Sequence, residues 1–451
     1  MVVGVAILGA SLAGGVFDSS AAPVRFGAGY ELLTPSTIAA TLSAVPPVAD
    51  GPATAFGHGD RTQTAATDSS VSPVSSVSSV SSVSSVSSVS SVSSGTGSPA
   101  DSGSAVASTT TIVSPPESEV VPNADWAAFD TATVDALNGS GNLAVSVAVS
   151  KDGHPVHAAA RGLADPFHGI AVTPTDQFRI ASISKVITGT VVLELVADGR
   201  LALDQAVLPI IADAFHVTLG DPQMSKVTVR ELLGHRSGFG AFEPQFFDNQ
   251  SVSCEDAAIT ALTGHLSGTP GGGETYSNMN FCILGLLIEQ IAGDGYSTVV
   301  DQRLLAPLGI TDMHLAGNGV FDPGMVVHAE GAGRDFLDVL DGAGAWVASA
   351  PDLVRILDSL DPAKPGWHPL PDDLANLMHQ WPQGGGSLGL AMRLWRDGSW
   401  GHTGTIESTH SIVLHRQDGY TVAILVSGSR PSETDDLIGY IARGLTAAHL
   451  A

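Results

Sequence analysis

The chain has 451 residues, 43% of them hydrophobic, which is enough for one large globular domain or two ordinary ones. It carries 45 acidic and 19 basic side chains and a formal net charge of -26, so nucleic acid and anionic membrane surfaces are poor partners. With only two cysteines, Cys254 and Cys282, the chain holds neither a disulfide-scaffold fold nor a four-cysteine zinc site.

The N-terminal residues predict export. Residues 2–17 form an apolar run that is short for a membrane span and has the length of a signal-peptide core. We therefore interpret residues 1–20 as a signal peptide or an uncleaved signal anchor. The protein is expected to be extracellular or in the cell envelope, with membrane anchoring by this segment as one alternative.

A low-complexity linker is predicted over residues 21–122. This stretch is rich in Ser, Val, Ala, Thr and Pro, and it repeats Ser-Ser-Val between Ser75 and Ser94. A period of three matches neither a helix face nor a strand face, but it fits an extended polyproline-II-like rod or disorder. The sequence leaves open whether this disordered linker is a stalk or a plain spacer.

From residue 123 to residue 451 the pattern is that of a globular domain. Residues 143–150 and 156–161 read as two strands joined by a Lys-Asp-Gly turn, and residues 411–415 and 420–427 read as a second hairpin. The signals between the hairpins are mostly helical, and residues 437–449 read as an amphipathic helix. Strands at both ends with helices between them predict an α+β domain whose sheet joins the N- and C-terminal segments.

The first candidate for chemistry is Ser182, with Lys185 three residues later at the start of an apolar helix. Side chains at this spacing share one helix face. A serine hydroxyl needs a nearby base to act as a nucleophile, and a desolvated lysine is one such base. Backbone N–H groups at the helix start also favour negative charge that develops beside Ser182. Taken alone, the pair is equally compatible with a helix-capping serine and a solvated lysine.

Two further segments favour the catalytic interpretation. Tyr276 and Asn278 precede an apolar helix and, at a spacing of two, can face the same way. A tyrosine phenol held ionised near lysine is a candidate general base, and an asparagine side chain offers a donor and an acceptor to a substrate amide. Residues 400–405 read as a strand edge of small residues along which a substrate backbone fits as an added strand. The N–H groups of Thr405 and Ser182 are candidates for an oxyanion hole.

These motifs together resemble a known family. Ser-Ile-Ser-Lys (182–185), Tyr-Ser-Asn (276–278) and His-Thr-Gly (402–404), in this order, are similar to the motifs of the class C β-lactamase superfamily of serine β-lactamases and penicillin-binding-protein-like hydrolases. Secreted D-alanyl-D-alanine carboxypeptidases are the members that the chain resembles most. The likeness covers roughly residues 125–445.

The resemblance implies a fold and a set of roles. The fold is a five-stranded antiparallel sheet flanked by helices, with a mainly helical region beside it and the active site between them. Ser182 is acylated, Lys185 and Tyr276 exchange its proton, and His235 is structural. The substrate-binding residues are Asn278, His402, Thr403, Gly404 and Thr405, with His402 standing where many relatives have lysine. No cofactor and no metal are expected, and the partner is a small-molecule or peptide substrate, with the cell wall as one source.

Departures from the family pattern leave the substrate open. Glu407 follows the His-Thr-Gly strand, and a negative charge there would repel a substrate carboxylate. Ala391 stands near the position where carboxypeptidase relatives carry an arginine, and Arg393 lies further on. An ester or a neutral amide is therefore favoured, giving an exported peptidase, esterase or β-lactamase-type hydrolase.

The alternative is a penicillin-recognising fold used as a non-catalytic cell-wall binding module. Pairing of Cys254 with Cys282 is also left open.

Overall fold

The structure is a computed structural model that describes residue 121 and residues 123–318, 324–328 and 336–450. The predicted export segment (residues 1–20) and all but one residue of the predicted linker lie outside the described residues. The division of the chain into export segment, linker and domain stays a prediction.

The described strands are short at the sheet edges and long at the centre. They are β1 (Ala144–Lys151), β2 (His154–Asp165), β3 (Ile170–Ala171), β4 (Phe178–Arg179), β5 (His314–Leu315), β6 (Trp346–Ala348), β7 (Arg393–Leu394), β8 (Trp400–Ile406), β9 (Thr409–His415) and β10 (Tyr420–Ser427).

The described helices fall mainly between β4 and β7. They are α1 (Trp126–Asp130), α2 (Ala136–Gly139), α3 (Ser184–Ala197), α4 (Leu208–Ala214), α5 (Val229–Leu233), α6 (Glu243–Phe247), α7 (Cys254–Thr263), α8 (Asn278–Ala292), α9 (Tyr296–Val300), α10 (Leu337–Leu340), α11 (Ala350–Ser359), α12 (Asp372–Met378) and α13 (Leu437–Ala447). In the described segments, no helix is both long and apolar enough to cross a membrane.

The main sheet is antiparallel and has the strand order β3-β2-β1-β10-β9-β8-β7. Its five long strands are the five that were predicted, and the two-residue strands β3 and β7 extend it by one strand at each edge. β1 pairs with β10 from Ala144 opposite Ser427 to Lys151 opposite Tyr420, so the N- and C-terminal segments meet at the centre of the sheet. The predicted α+β class and the joining of the two ends are confirmed.

Alternating residues of the central strands bury both faces of the sheet. Val145, Val147 and Val149 of β1 belong to one apolar cluster with Leu437 and Ile441 of α13. The small residues Ala144 and Ala148 point the other way, into the larger core that contains α3, α8 and α11. Small side chains on that face let the helices approach closely, which explains the mixture of valine and alanine in β1.

A second, three-stranded sheet with the order β4-β6-β5 places the start of α3. Phe178 and Arg179 of β4 pair with Ala348 and Val347 of β6. A 3₁₀ turn at Ala181–Ile183 follows β4, and another at Asp341–Ala343 precedes β6. Because β4 and β6 are adjacent, these two turns lie side by side.

Cys254 and Cys282 form a disulfide, which settles the pairing that the sequence left open. Their Cα atoms are 5.6 Å apart, and the bond joins the first residue of α7 to the buried middle of α8. Since α8 begins at Asn278, the disulfide restrains the helix that carries a candidate site residue.

Replacing both cysteines by alanine is expected to lower the free energy of unfolding by about 2–4 kcal/mol, because the bond closes a loop in the unfolded chain. The sequence separation that sets this loop is 28 residues. Urea denaturation of the oxidised wild type and of the double variant measures the difference. Equal midpoints and slopes for the two proteins would show that the bond contributes nothing to stability.

Candidate active site

Ser182 lies in a tight turn between β4 and α3. The preceding Ala181 has a φ of 48°, a left-handed conformation that costs a non-glycine residue roughly 1 kcal/mol or more. The turn is fixed from two sides, since Ile180 donates its N–H to the Trp346 carbonyl (3.1 Å) and Ser411 donates its hydroxyl to the Ile180 carbonyl (2.8 Å). These two hydrogen bonds maintain the strained turn, which positions Ser182 just before α3.

The Lys185 side chain is completely buried beneath Ser182. Its Nζ lies 3.0 Å from the Ser182 Oγ, 2.8 Å from the Asn278 Oδ1 and 2.6 Å from the carbonyl oxygen of Ala343. None of these three partners is charged, so nothing offsets the cost of burying an ammonium ion. Burial lowers the pKa of Lys185 well below its ordinary value of 10.5.

This arrangement matches a neutral amine. A neutral lysine has two N–H donors and one lone pair, and two of its three partners, the Asn278 Oδ1 and the Ala343 carbonyl, only accept hydrogen bonds. With both donors used there, the lone pair is left for the hydroxyl of Ser182. Lys185 is therefore placed, in its neutral form, to accept the proton of the Ser182 hydroxyl.

Tyr276 reaches the same hydroxyl from the other side. Its phenol hydrogen-bonds with Ser182, and its ring lies with its centroid 5.0 Å from the Nζ of Lys185. Tyr276 is 39% exposed, yet desolvation of its phenol raises its pKa and outweighs the opposing effect of the hydrogen bond with Ser182. The raised pKa favours a protonated phenol that donates, rather than the ionised base that the sequence suggested.

His235 supports Tyr276, a contact that the sequence did not reveal. The two rings stack with centroids 4.4 Å apart and an interplanar angle of 24°. The His235 Nδ1 accepts hydrogen bonds from the backbone N–H of Ser277 (3.1 Å) and from the Asn280 Nδ2 (3.0 Å). Burial lowers the pKa of His235 well below its usual value, which keeps Nδ1 free to accept. His235 therefore has a structural role, in which its ring holds the loop that carries Tyr276.

Strand β8 forms the opposite wall of the site. It pairs with β9 along its whole length, whereas β7 pairs only with Trp400 and Gly401. Beyond Gly401 the outer edge of β8 has no strand partner among the described residues, as the strand-edge prediction requires.

Gly404 lets β8 approach the turn that carries Ser182. A Cβ at this position would lie 2.2 Å from the Ile180 carbonyl oxygen, 2.4 Å from the Ser411 Oγ and 3.0 Å from the Ala181 Cβ. Real Cβ atoms do not come this close to backbone, so only glycine fits. The backbone of β8 can therefore pack directly against the turn that carries Ser182.

His402 and Thr403 lie beside the site and do not line its pocket. His402 is 2% exposed and its Nδ1 donates to the Thr403 carbonyl (2.6 Å). Burial lowers the pKa of His402 to about 3, so its imidazole is neutral. The Thr403 Oγ1 accepts a hydrogen bond from Arg393 (2.5 Å), whose guanidinium also pairs with Asp435 (2.8 and 3.1 Å).

A pocket of about 300 Å³ opens above Ser182. Four predicted residues line it, namely Ser182, Tyr276, Asn278 and Thr405. The remaining lining residues were not predicted, and they are Ala241, Glu243, Phe247, Leu340, Ala343, Gly344 and Ile406. They come from α6, the α10 region and the end of β8. Glu407, which was expected close to the site, lies in the β8–β9 turn outside this lining.

The described residues form no group of three or more His, Cys, Asp and Glu side chains able to hold a metal ion. The site itself brings together a hydroxyl, an amine, a phenol and an amide, from Ser182, Lys185, Tyr276 and Asn278. This set has the groups for attack by an activated hydroxyl on a carbonyl carbon.

Comparison with known proteins agrees with this geometry. Residues 130–446 match the family model described as Beta-lactamase. Esterase EstB of Burkholderia gladioli is 31% identical over 177 residues, which are 36% of this chain and 45% of EstB, so the chain spans less than half of that relative.

Solved structures share the fold. The D-amino acid amidase from Ochrobactrum anthropi SV3, complexed with L-phenylalanine, has a TM-score of 0.59 and 24% identity, and the match covers 71% of this chain and 97% of the amidase. The octameric penicillin-binding protein homologue from Pyrococcus abyssi has a TM-score of 0.60 and 20% identity, covering 71% and 77% of the two chains. These similarities confirm the β-lactamase/transpeptidase-like architecture.

Replacing Gly404 by alanine is expected to destabilise the protein by about 1–3 kcal/mol, because the added methyl group overpacks the contact between β8 and Ile180. Urea denaturation measures the change. Gly139→Ala is the matched control, since a Cβ at Gly139 meets nothing within 4 Å. If the two alanine variants proved equally stable, β8 would not depend on glycine for its approach to the Ser182 turn.

Proposed function

The chain belongs to the Beta-lactamase family, and from this premise we propose that it is a serine hydrolase that forms a covalent acyl-enzyme at Ser182. Its substrate is an ester or an amide. The specific activity is proposed among peptidase, esterase and β-lactamase-type hydrolysis, with ester or neutral amide hydrolysis favoured.

The observation that carries this proposal is the buried Lys185 amine beneath Ser182. If Ser182 only capped the helix, the Lys185 side chain would be expected to extend into solvent and keep its positive charge. Here the side chain is fully buried and touches Ser182 and two neutral acceptors. Burying a lysine without a counter-ion lowers the stability of the folded protein. A catalytic role explains why the residue is there, because a buried neutral amine can accept a proton.

Acylation follows from these contacts. As the Ser182 Oγ bonds to the substrate carbonyl carbon, the hydroxyl proton passes to the Lys185 Nζ. The carbonyl oxygen becomes an oxyanion, for which the N–H groups of Ser182 and Thr405 are the proposed donors. The bond to the leaving group then breaks. The departing oxygen or nitrogen takes a proton from Tyr276, and Lys185 returns one to the phenol.

Deacylation repeats the sequence with water. A water molecule attacks the acyl carbon, gives one proton to the Tyr276–Lys185 pair and releases the carboxylic acid. The proton then returns to the Ser182 Oγ as its bond to carbon breaks. Asn278 keeps Lys185 in place through both steps and offers its amide N–H₂ to the substrate. With the substrate and one water molecule, Ser182, Lys185 and Tyr276 balance the bonds and protons of both steps.

A neutral ester or amide is favoured over a peptide ending in a carboxylate. Arg393, the cation on β7, is already hydrogen-bonded to Asp435 and to Thr403. EstB is named an esterase and the Ochrobactrum protein a D-amino acid amidase, which supports ester and amide chemistry. Carboxypeptidase activity, which the sequence motifs suggested, has less support here because this guanidinium is occupied.

Export remains part of the proposal. The Cys254–Cys282 disulfide supports it, because disulfides persist mainly in oxidising compartments outside the cytoplasm. We assign the protein to the extracellular space or the cell envelope, with the segment before residue 21 as a signal peptide or anchor. The cell wall is then one source of substrate.

Ser182→Ala is expected to lower kcat/KM for p-nitrophenyl acetate by roughly 10⁴-fold or more, and Lys185→Met by about 10²–10⁴-fold, because one variant lacks the nucleophile and the other its base. Release of p-nitrophenol measures both. Lys226→Met is the matched control, since Lys226 is exposed and outside the pocket. Wild-type rates in Ser182→Ala would contradict the proposed function.

The pH dependence tests which group is the base. Since Lys185 must be neutral to accept a proton, kcat/KM is expected to fall as pH drops through the lowered pKa of Lys185 and to be level above it. The plateau should therefore begin well below 10.5, the ordinary lysine value. A rate that continues to rise up to pH 10 would assign the base to a group with an unshifted or raised pKa.

A further inference from the structure

Glu243 is the one charged side chain among the described residues that line the pocket above Ser182. It is the first residue of the short helix α6 and is exposed to solvent. The other lining groups are a hydroxyl, a phenol, an amide, small residues and the apolar side chains of Phe247, Leu340 and Ile406. The pocket therefore presents one carboxylate in an otherwise uncharged lining.

No other described residue forms a hydrogen bond or an ion pair with the Glu243 side chain. Three basic side chains of the domain are engaged elsewhere. Lys185 is buried and bound to three neutral oxygens. Arg393 pairs with Asp435, and Arg236 donates to the carbonyl oxygens of Gly272 and Gly385. The negative charge of Glu243 is thus left for a ligand.

The helix that carries Glu243 is anchored to the core. Phe246 is only 1% exposed, and the Phe247 ring lies 6.2 Å from the Phe336 ring. Phe242, just before the helix, packs edge-on against Phe239 at 5.9 Å. These contacts fix the backbone that carries Glu243 beside the pocket, so only its side chain has to be ordered when a cation binds.

From these observations we infer that Glu243 is a specificity-determining residue that selects substrates with an ammonium group near the scissile ester or amide. This inference rests on the proposed function and names a substrate class for the same site. The ammonium group pairs with Glu243, while aliphatic carbons of the substrate contact Phe247, Leu340 and Ile406. A substrate carboxylate in the same place is repelled.

The test uses pairs of p-nitrophenyl esters that differ only by an ammonium group in place of a methyl group. The pairs are alanine, as each enantiomer, against isobutyrate, and β-alanine against butyrate. For each pair, the kcat/KM ratio of ammonium ester to methyl ester is measured for the wild type and for Glu243→Gln. Dividing the two ratios cancels the intrinsic reactivity of the esters.

In at least one pair, the wild-type ratio is expected to exceed the Glu243→Gln ratio by about tenfold, the size expected for loss of a charge-assisted hydrogen bond. The methyl esters should change by less than about twofold, because they do not use the carboxylate. Asp248→Asn is the matched control: Asp248 is exposed and caps the same helix outside the pocket, and its removal should leave the ratio unchanged.

A second measurement needs no variant. Raising the salt concentration from about 0.05 M to about 0.5 M should lower the ammonium-to-methyl ratio of the wild type, because salt screens an exposed charge pair.

If all ratios are equal in the wild type and Glu243→Gln while the methyl esters are still hydrolysed, the inference is wrong and the proposed function stands. If the wild type hydrolyses none of the esters, the proposed function is contradicted and this inference falls with it.

Discussion

The burial of one amine without a charged partner constrains the whole site. Lys185 can stay in the core only because neutral oxygens surround its Nζ, and each comes from a different segment. Asn278 begins α8 and Ala343 ends a 3₁₀ turn. The hydroxyl of Thr188 on α3 stabilises this 3₁₀ turn by donating to the Gly342 carbonyl at 2.7 Å. Helices α3 and α8 and the turn before β6 therefore have to assemble together for the amine to be satisfied.

The second constraint is the close approach of the main sheet to this helical region. β8 reaches the nucleophile turn only because Gly404 lacks a side chain. On the alternate positions, Thr403 and Thr405 hydrogen-bond to Arg393 and Thr434. The short edge strand β7 ends at Leu394, so beyond Gly401 the edge of β8 has no strand partner in the described part of the chain. Thr405, the one exposed residue of this strand, lines the pocket.

Much of this architecture could be predicted from the sequence because its signals are local. Strand alternation and turn residues located both hairpins, and the spacing of Ser182 and Lys185 located the nucleophile helix. Contacts between residues that are far apart in the sequence could not be predicted from these local signals. The stacking of His235 on Tyr276 joins two loops, and Glu243 reaches the pocket from a short helix with no motif. The protonation of Tyr276 follows from desolvation of its phenol, and no sequence pattern reports desolvation.

We propose that the neutral Lys185 amine makes Ser182 a nucleophile toward carbonyl substrates. Reaction of the folded protein with a fluorophosphonate, followed by peptide mass spectrometry, measures this reactivity. We expect one phosphonyl adduct, on the peptide that contains Ser182, which disappears when the protein is unfolded before reagent is added. A folded protein that remains unlabelled, or an adduct on another residue, would contradict it.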